Sequence, residues 1–269
     1  MTEKKRLDVA LFERGFAESR EKAKALIMAG QVYVNNQKVT KSGDSVKESD
    51  CLEVRGEKLP FVSRGGLKLQ KAVEQFGLTL DDCVCMDIGA STGGFTDCML
   101  QHGAKKVYAI DVGYGQLAWK LREDARVVNL ERTNFRYVTR EQIPEEIDFA
   151  SVDVSFISLR LIVPVMRELL KANGRAVCLI KPQFEAGKEN VGKKGVVREQ
   201  SVHAQVVADI TAFLSETGFS ILNLDYSPVK GPQGNIEYLV YIEKSDAPQS
   251  YLTVTPEEIV ARSHEALDV

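Results

Sequence analysis

From Ser63 onward, apolar runs alternate with helix-like stretches, and this alternation limits the possible folds more than any other feature of the sequence. The predicted strands are VCMDIG, KVYAIDV, RVVNL, DFASVDV, RAVCLIK, SILNLDY and EYLVYIEK, with helical patterns such as GGFTDCMLQHG between them. Strands and helices in alternation indicate an α/β fold with a mostly parallel sheet and helices on both faces. The last two strands are separated by the loop SPVKGPQGN, so we expect them to pair antiparallel at one edge.

The first of these strands leads into the glycine-rich stretch DIGASTGGFT. Ligands of open α/β sheets bind beyond the carboxyl ends of the strands. Glycines allow the backbone to come close to a ligand, and the N-terminal amides of the following helix can bind its polar groups. We therefore predict a cofactor-binding loop that consists of Asp87, Gly89, Ala90, Ser91, Gly93, Gly94 and Phe95.

The order of the residues in this loop bears on which cofactor it binds. Asp111 ends the next strand, where a carboxylate can take both ribose hydroxyls of an adenosine, and NAD-binding proteins share this arrangement. Their fingerprint is G-x-G-x-x-G, whereas the order here is G-x-x-x-G-G with Asp87 two residues before the first glycine. This order favours S-adenosylmethionine over a dinucleotide. Asn134 is a candidate for an adenine contact, although an ordinary turn explains it equally well.

Four ionisable residues are predicted to meet at the same edge of the sheet. Asp153 ends the fourth strand and Lys181 ends the fifth, so adjacent strands bring the two together. Lys68 lies on the helix that leads into the domain, and Glu237 lies at the start of the last strand. Each residue alone is explained by an ordinary surface charge, but together they form a Lys, Asp, Lys and Glu set beside the cofactor loop.

Charge is distributed unevenly along the chain. Residues 1–68 contain 14 Lys and Arg against 10 Asp and Glu, while the remainder contains 21 against 28. A basic N-terminal part followed by an acidic remainder is typical of a small nucleic-acid-binding module fused to a catalytic domain, although a small excess of charge alone proves little. We predict domains at residues 1–58 and 65–269, joined by a linker at 59–64.

The N-terminal stretch RLDVALFERGFAESREKAKALIMAGQVYVNNQKV predicts two short helices and a hairpin. Ser19 is expected to cap the second helix, Gly30 to end it, and the NNQ stretch to form the turn of the hairpin. The stretch resembles the small α+β RNA-binding domain of ribosomal protein S4, which implies structured RNA as the partner. The candidate RNA-binding residues are Arg6, Arg20, Lys24, Lys38, Lys41 and Arg64.

The stretches SRGGLKL, DIGASTGGFTDCML, DVSFISL, IKPQFEAG and GNIEYL resemble, in this order, the TlyA family of ribosomal RNA 2'-O-methyltransferases. Members of this family are also called haemolysin A, and their catalytic domain is of the FtsJ type. The resemblance covers about residues 6–244 and implies a Rossmann-like class I methyltransferase domain with a seven-stranded, mostly parallel sheet. It further implies S-adenosylmethionine as cofactor and cytidine in ribosomal RNA as substrate, in the large subunit and in some members also the small subunit.

The resemblance assigns the catalytic roles of a Lys-Asp-Lys-Glu tetrad to Lys68, Asp153, Lys181 and Glu237. A ribose 2'-hydroxyl is a poor nucleophile, and an ordinary lysine, with a pKa of about 10.4, is almost fully protonated and cannot accept its proton. A second lysine, the sulfonium of the cofactor and partial burial all disfavour that proton. Our hypothesis is that Lys181 is the general base and that the other three residues position it and the hydroxyl, without a metal.

Composition also bears on the rival interpretations. The first nine residues are charged, and no stretch approaches the roughly 18 apolar residues of a membrane span, which argues against export and against direct membrane lysis. The five cysteines form no pattern of metal ligands with histidine, and we interpret them as reduced thiols in the cytoplasm. A membrane-active haemolysin and a non-catalytic ribosome-binding factor remain the alternatives to an enzyme that acts on ribosomal subunits.

Overall fold

The computed structural model describes residues 4–55, 59–231 and 233–268, and the chain divides into two compact units, Met1–Ser63 and Arg64–Val269. The division falls within the predicted linker. Residue 58, the predicted end of the N-terminal domain, lies outside the described residues. Each unit has its own cluster of buried apolar side chains.

The N-terminal unit is a small α+β structure. Its elements are β1 (Lys4–Arg6), α1 (Leu7–Glu13), α2 (Arg20–Met28), β2 (Val32–Val34), β3 (Gln37–Lys38), β4 (Ser45–Lys47) and β5 (Leu52–Val54). β1 pairs with β4, and β2 pairs with β3 and β5, all antiparallel. The Ser19 hydroxyl accepts a hydrogen bond from the Lys22 backbone N–H at 3.1 Å, which confirms the predicted cap of α2. Asn35 and Asn36 form the hairpin turn with positive φ angles, as predicted.

The second unit consists of a central sheet with helices on both faces. Its elements are α3 (Gly66–Phe76), β6 (Val84–Ile88), α4 (Gly94–Gln101), β7 (Lys106–Ile110), α5 (Trp119–Arg122), β8 (Val127–Leu130), β9 (Ile147–Val152), α6 (Val163–Leu169), β10 (Leu170–Ile180), α7 (Pro182–Glu185), α8 (Gln200–Glu216), β11 (Phe219–Tyr226), β12 (Tyr238–Lys244) and α9 (Pro256–Leu267). Within the described residues the sheet has seven strands in the order β11-β12-β10-β9-β6-β7-β8. β12 is antiparallel to both of its neighbours, and the other pairs are parallel, which confirms the predicted fold class.

One strand differs from its predicted extent. β10 begins at Leu170, five residues before the predicted start, and its pairing with β9 shifts register between Leu170 and Arg175. The reason is the KANG sequence at this point, where Asn173 has a φ of 58°. Asparagine tolerates the left-handed conformation, so a strand can contain a local irregularity where a sequence pattern suggests a turn. The carboxyl end of β10, which leads to Lys181, is as predicted.

The C-terminal segment forms a capped helix, α9. The Thr255 hydroxyl accepts from the Glu258 backbone N–H, and the Glu258 carboxylate accepts from the Thr255 backbone N–H, which together form a capping box. Ile259 and Val260 are buried in the main apolar cluster, so the helix packs on the domain. In the part of the chain that the structure describes, no helix has the length and apolar character needed to cross a membrane.

Candidate active site

Three neighbouring strands bring the predicted ionisable residues to one edge of the sheet. Asp153 directly follows β9, Lys181 directly follows β10, and Glu237 directly precedes β12. β10 lies between the other two strands, and its last pair with β12 joins Ile180 to Tyr238. One residue beyond that pair, Lys181 and Glu237 lie on adjacent strands. The first turn of α3 supplies Lys68 to the same place.

The four side chains form one continuous chain of contacts. Lys68 Nζ lies 2.7 Å from Glu237 Oε2 and 3.2 Å from Asp153 Oδ2. Lys181 Nζ lies 2.5 Å from Asp153 Oδ1. Lys68, Lys181 and Glu237 are only 8%, 6% and 1% exposed. The structure therefore brings together all four residues of the predicted set, in the order Lys181, Asp153, Lys68, Glu237.

Ionisation of the central pair follows from these contacts. Burial alone lowers the pKa of Lys68, but the charges of Asp153 and Glu237 outweigh it, so the pKa lies above its ordinary value. Burial likewise raises the pKa of Asp153, and the charges of Lys68 and Lys181 reverse that effect and lower it. Lys68 is thus held as a cation and Asp153 as an anion at neutral pH. A fixed carboxylate beside Lys181 can orient its amine.

Further contacts at the tetrad were not predicted from the sequence. Lys181 Nζ donates to Ser155 Oγ at 3.3 Å, and Gln183 Nε2 donates to Glu237 Oε1 at 3.5 Å. A Cβ atom on Gly231 would lie 2.6 Å from Glu237 Oε1, so a side chain at this position would displace the carboxylate. Ser155 and Gln183 each lie two residues after a predicted site residue, and this proximity was the signal available in the sequence.

The glycine loop after β6 requires glycine for two reasons. Gly89 has a φ of 89°, and a Cβ atom there would lie 2.5 Å from the backbone oxygen of Asp153. Gly93 has a φ of 91°, and a Cβ atom there would overlap the side chain of Leu121. Ser91, between them, also has a positive φ and is exposed. The loop therefore packs closely against Asp153, at the end of β9, and against Leu121 of α5. Between these two contacts, at Ser91, it is exposed to solvent.

Other predicted loop residues lie beneath this surface. Asp87 is fully buried; its Oδ2 accepts from the backbone N–H and hydroxyl of Thr96, and its Oδ1 accepts from the hydroxyl of Ser151. Burial raises the pKa of Asp87 to about 7, while these hydrogen bonds act in the opposite direction. Ala90 and Phe95 are also buried, as is Gly94. Asp87 joins β6 to α4 and β9, so we expect its effect on cofactor binding to be indirect.

Two polar residues further along the rim were predicted to contact an adenosine. Asp111 Oδ2 accepts from the Ser91 N–H at 2.8 Å, and its Oδ1 accepts from the Gly113 N–H at 2.7 Å. Each carboxylate oxygen can accept a second hydrogen bond, so Asp111 can still bind hydroxyls. Asn134 Oδ1 accepts from the Arg136 N–H at 3.2 Å and caps a short 3₁₀ turn, which favours the ordinary-turn interpretation.

An aromatic pair adjoins the tetrad. Phe156 is 88% exposed and has a φ of 64°, an uncommon conformation for a bulky residue. Its ring lies 5.1 Å from the ring of Phe184, and Lys181 Nζ lies 5.9 Å from that second ring. An exposed ring such as that of Phe156 beside a polar site provides a surface on which an unstacked base can lie.

The candidate RNA-binding residues of the N-terminal unit have different surroundings. Arg6 and Arg20 both pair with the buried carboxylate of Asp8, at 3.0 Å and 3.4 Å. About half of each arginine side chain stays exposed, so pairing does not remove it from the surface. Lys24 is half-buried. Lys38 and Lys41 are exposed, as is Arg64 in the second unit.

Replacing Gly89 with alanine is expected to weaken cofactor binding at least about tenfold and to lower stability by about 1–3 kcal/mol, because the left-handed backbone and the Asp153 oxygen both oppose a Cβ atom. Calorimetric titration with S-adenosylmethionine and thermal unfolding measure the two effects. Gly77→Ala is the matched control, since Gly77 has a φ of 64° but nothing within 4 Å of the added atom. Equal affinities for both variants would contradict the expectation.

Comparison with known proteins gives two family matches. Residues 61–244 match the family described as FtsJ-like methyltransferase, and residues 5–51 match the S4 domain. The first match spans the tetrad, the glycine loop and Asp111. The second spans the helices and most of the strands of the N-terminal unit.

Individual relatives cover nearly the whole chain. The Bacillus subtilis protein YqxC is 52% identical over 99% of this chain and 95% of its own. The 16S/23S rRNA (cytidine-2'-O)-methyltransferase TlyA of Mycobacterium tuberculosis is 42% identical over 90% of this chain and 91% of its own. A solved structure from Streptococcus thermophilus is 48% identical, with a TM-score of 0.80 over 100% of this chain and 98% of that one.

Proposed function

Because the chain belongs to the FtsJ-like methyltransferase family, we propose that it transfers the methyl group of S-adenosylmethionine to the 2'-hydroxyl of a cytidine in ribosomal RNA. The observation that carries the proposal is the continuous chain of contacts among Lys68, Asp153, Lys181 and Glu237 beside the glycine loop. Similarity to a relative named for this reaction on 16S and 23S RNA supports the substrate.

The residues of the loop fit S-adenosylmethionine. Gly89 and Gly93 let the loop backbone pack closely against Asp153 and Leu121, where a side chain would overlap, and Asp111 offers carboxylate oxygens next to the exposed Ser91. Gly89, Ser91, Gly93 and Asp111 are therefore the residues that would hold the cofactor. When bound, S-adenosylmethionine supplies the methyl group and a positive sulfonium. Asp87 and the buried side chains near it support the loop from below.

The tetrad supplies a place for the proton of the hydroxyl. With all four groups ionised, the two lysines and two carboxylates carry no net charge. A cationic ligand beside this buried set would add a positive charge, and the proposal requires the form of Lys181 that has released its proton to solvent. The unprotonated Nζ of Lys181 then takes the proton of the ribose 2'-hydroxyl. Asp153 and Lys68 hold Nζ in place, so the reaction depends chiefly on positioning.

The proposal is tested by incubating the protein with labelled S-adenosylmethionine and, separately, with large and small ribosomal subunits that lack the modification. We expect incorporation into RNA, and none into subunits that are already methylated. Binding to subunits without incorporation would favour a non-catalytic ribosome-binding factor. Leakage of liposomes caused by the purified protein, in the absence of incorporation, would favour a membrane-active haemolysin.

The N-terminal unit is proposed to bind the RNA backbone of the subunit. Arg20 and Lys24 lie on one face of α2, so replacing both with alanine is expected to weaken subunit binding and to reduce the slope of log affinity against log salt by about 2. Binding measured at several salt concentrations gives both quantities. Lys105→Ala/Arg262→Ala, which removes two exposed charges of the second unit, is the control. An unchanged slope for the first variant would contradict the assignment.

A further inference from the structure

A buried polar cluster joins α8, β12 and α9. His203 Nδ1 lies 2.7 Å from the hydroxyl of Tyr238, which lies 3.2 Å from Ser263 Oγ. On the other side of the ring, His203 Nε2 lies 3.0 Å from the backbone oxygen of Val197. The three side chains are at most 1% exposed. Polar groups buried to this degree are costly unless they are paired, so the cluster has one well-defined arrangement.

The direction of these hydrogen bonds follows from the groups involved. The carbonyl of Val197 can only accept, so we place the ring hydrogen of His203 on Nε2. Burial lowers the pKa of His203, which keeps the ring neutral, and Nδ1 then accepts from the Tyr238 hydroxyl. Because the hydrogen of Tyr238 is used on Nδ1, its oxygen accepts from the Ser263 hydroxyl at 3.2 Å, and the backbone oxygen of Val260, 2.8 Å from Ser263 Oγ within α9, shares that same hydrogen. The tyrosine hydroxyl is therefore the link between the other two side chains.

This cluster lies next to the tetrad along the chain. Tyr238 is the residue after Glu237, and the backbone oxygen of Glu237 accepts from the Ser227 N–H at 2.8 Å. Two residues before Glu237, the buried Asn235 accepts at Oδ1 from the Val197 N–H at 3.1 Å. Val197 is thus bound at its N–H by Asn235 and at its oxygen by His203. Asn235, before Glu237, and Tyr238, after it, are therefore both tied to Val197, the first directly and the second through His203.

The position of Glu237 matters because its carboxylate is 2.7 Å from Lys68, which in turn contacts Asp153. We propose that His203, Tyr238 and Ser263 are positioning residues, which fix the start of β12 so that Glu237 holds Lys68 and, through Asp153, the amine of Lys181. This proposal rests on the proposed function. It gives α9 a role in catalysis, since Ser263 belongs to that helix.

The first test is Tyr238→Phe, which removes the linking hydroxyl and keeps the buried ring. We expect kcat to fall about tenfold, with the KM values for S-adenosylmethionine and for RNA unchanged, because the tetrad is misplaced while both binding sites are intact. Tyr241→Phe is the matched control. It lies on the same strand, and its hydroxyl accepts from Arg175 Nη1 at 3.1 Å, away from the tetrad. Its kcat is expected to stay within twofold of the parent.

The second test is a double-variant cycle, which separates positioning from general stability. In a Glu237→Gln background, adding Tyr238→Phe is expected to change the single-turnover rate less than twofold, since the group being positioned is already altered. A Tyr238→Phe variant with parental kcat, or the same fold loss in both backgrounds, would overturn the proposal. Ser263→Ala goes through the same cycle with the same expectations if Tyr238→Phe does not fold.

If the parent protein shows no methyl transfer, the proposed function is contradicted, and this outcome is distinct from failure of the positioning role. In that event the positioning role is measured through thermal unfolding of the two single variants and the double variant. Shifts in Tm that are smaller in the double variant than their sum support coupling between Tyr238 and Glu237, and additive shifts overturn it.

Discussion

Replacing Lys181 with alanine lowers kcat by about 10²–10⁴-fold, the usual contribution of a general base, while the affinity for S-adenosylmethionine changes little. The reason is that Nζ of Lys181 is the group that takes the hydroxyl proton, whereas the glycine loop and Asp111 lie on other elements. Lys181→Arg is expected to be equally inactive, because arginine keeps the positive charge beside Asp153 but cannot give up its proton. Calorimetric titration and single-turnover methyl transfer measure the two quantities.

Lys171→Ala is the matched control for this experiment. Lys171 lies near the opposite end of the same strand, β10, where it pairs with Asp148. Its loss removes a lysine and an ion pair without touching the tetrad, so kcat is expected to stay close to that of the parent. Near-normal turnover of Lys181→Ala, or activity in Lys181→Arg, would contradict the role of Lys181 as a base.

Replacing Lys68 with methionine has the largest expected effect on stability, a loss of about 3–5 kcal/mol in the free energy of unfolding, together with loss of turnover. Removing this cation leaves the carboxylates of Asp153 and Glu237 in a buried site without their shared partner. Urea unfolding measures the effect. Lys71→Met is the control on the same helix; Lys71 pairs with Asp225 at 2.9 Å, where both side chains are about one-fifth exposed, so a smaller loss is expected.

The loss in the free energy of unfolding caused by Lys68→Met is also expected to depend on pH. In the parent, the cations beside Asp153 lower its pKa, so the stability from this group is present above the unfolded-state value of about 3.9 and is lost as pH falls below it. The variant lacks the contribution of Lys68. The difference between parent and variant is therefore expected to narrow as the pH is lowered from about 5 to 3. A constant difference over this range would show that the charge of Lys68 is not the cause.

The tetrad could be predicted because its positions follow from topology. The carboxyl ends of neighbouring parallel strands meet at one edge, which places Asp153 beside Lys181 whatever the details of packing. The tertiary partners were harder to predict. The sequence shows a carboxylate at Asp87 but not that Thr96 and Ser151 would take up its oxygens beneath the loop.

Contacts between distant residues that lie outside the strand ends at the site could not be predicted. His203, Tyr238 and Ser263 come from three elements separated by 35 and 25 residues, and no periodic pattern links them. In the N-terminal unit Arg6 and Arg20 were predicted as RNA-binding candidates, but their pairing with Asp8 depends on how α1 and α2 pack. Local sequence patterns predict helices and strands, whereas the packing of those helices and strands decides which polar side chains form hydrogen bonds or ion pairs.

The most direct test of the proposed reaction is to locate the methyl group. Ribosomal subunits that lack the modification are incubated with labelled S-adenosylmethionine and the protein, and the RNA is digested and its nucleosides identified by mass spectrometry. We expect label in 2'-O-methylcytidine with the parent protein and none with Lys181→Ala. Label on a base or on another nucleoside, or no label in either subunit, would contradict methyl transfer to a cytidine ribose.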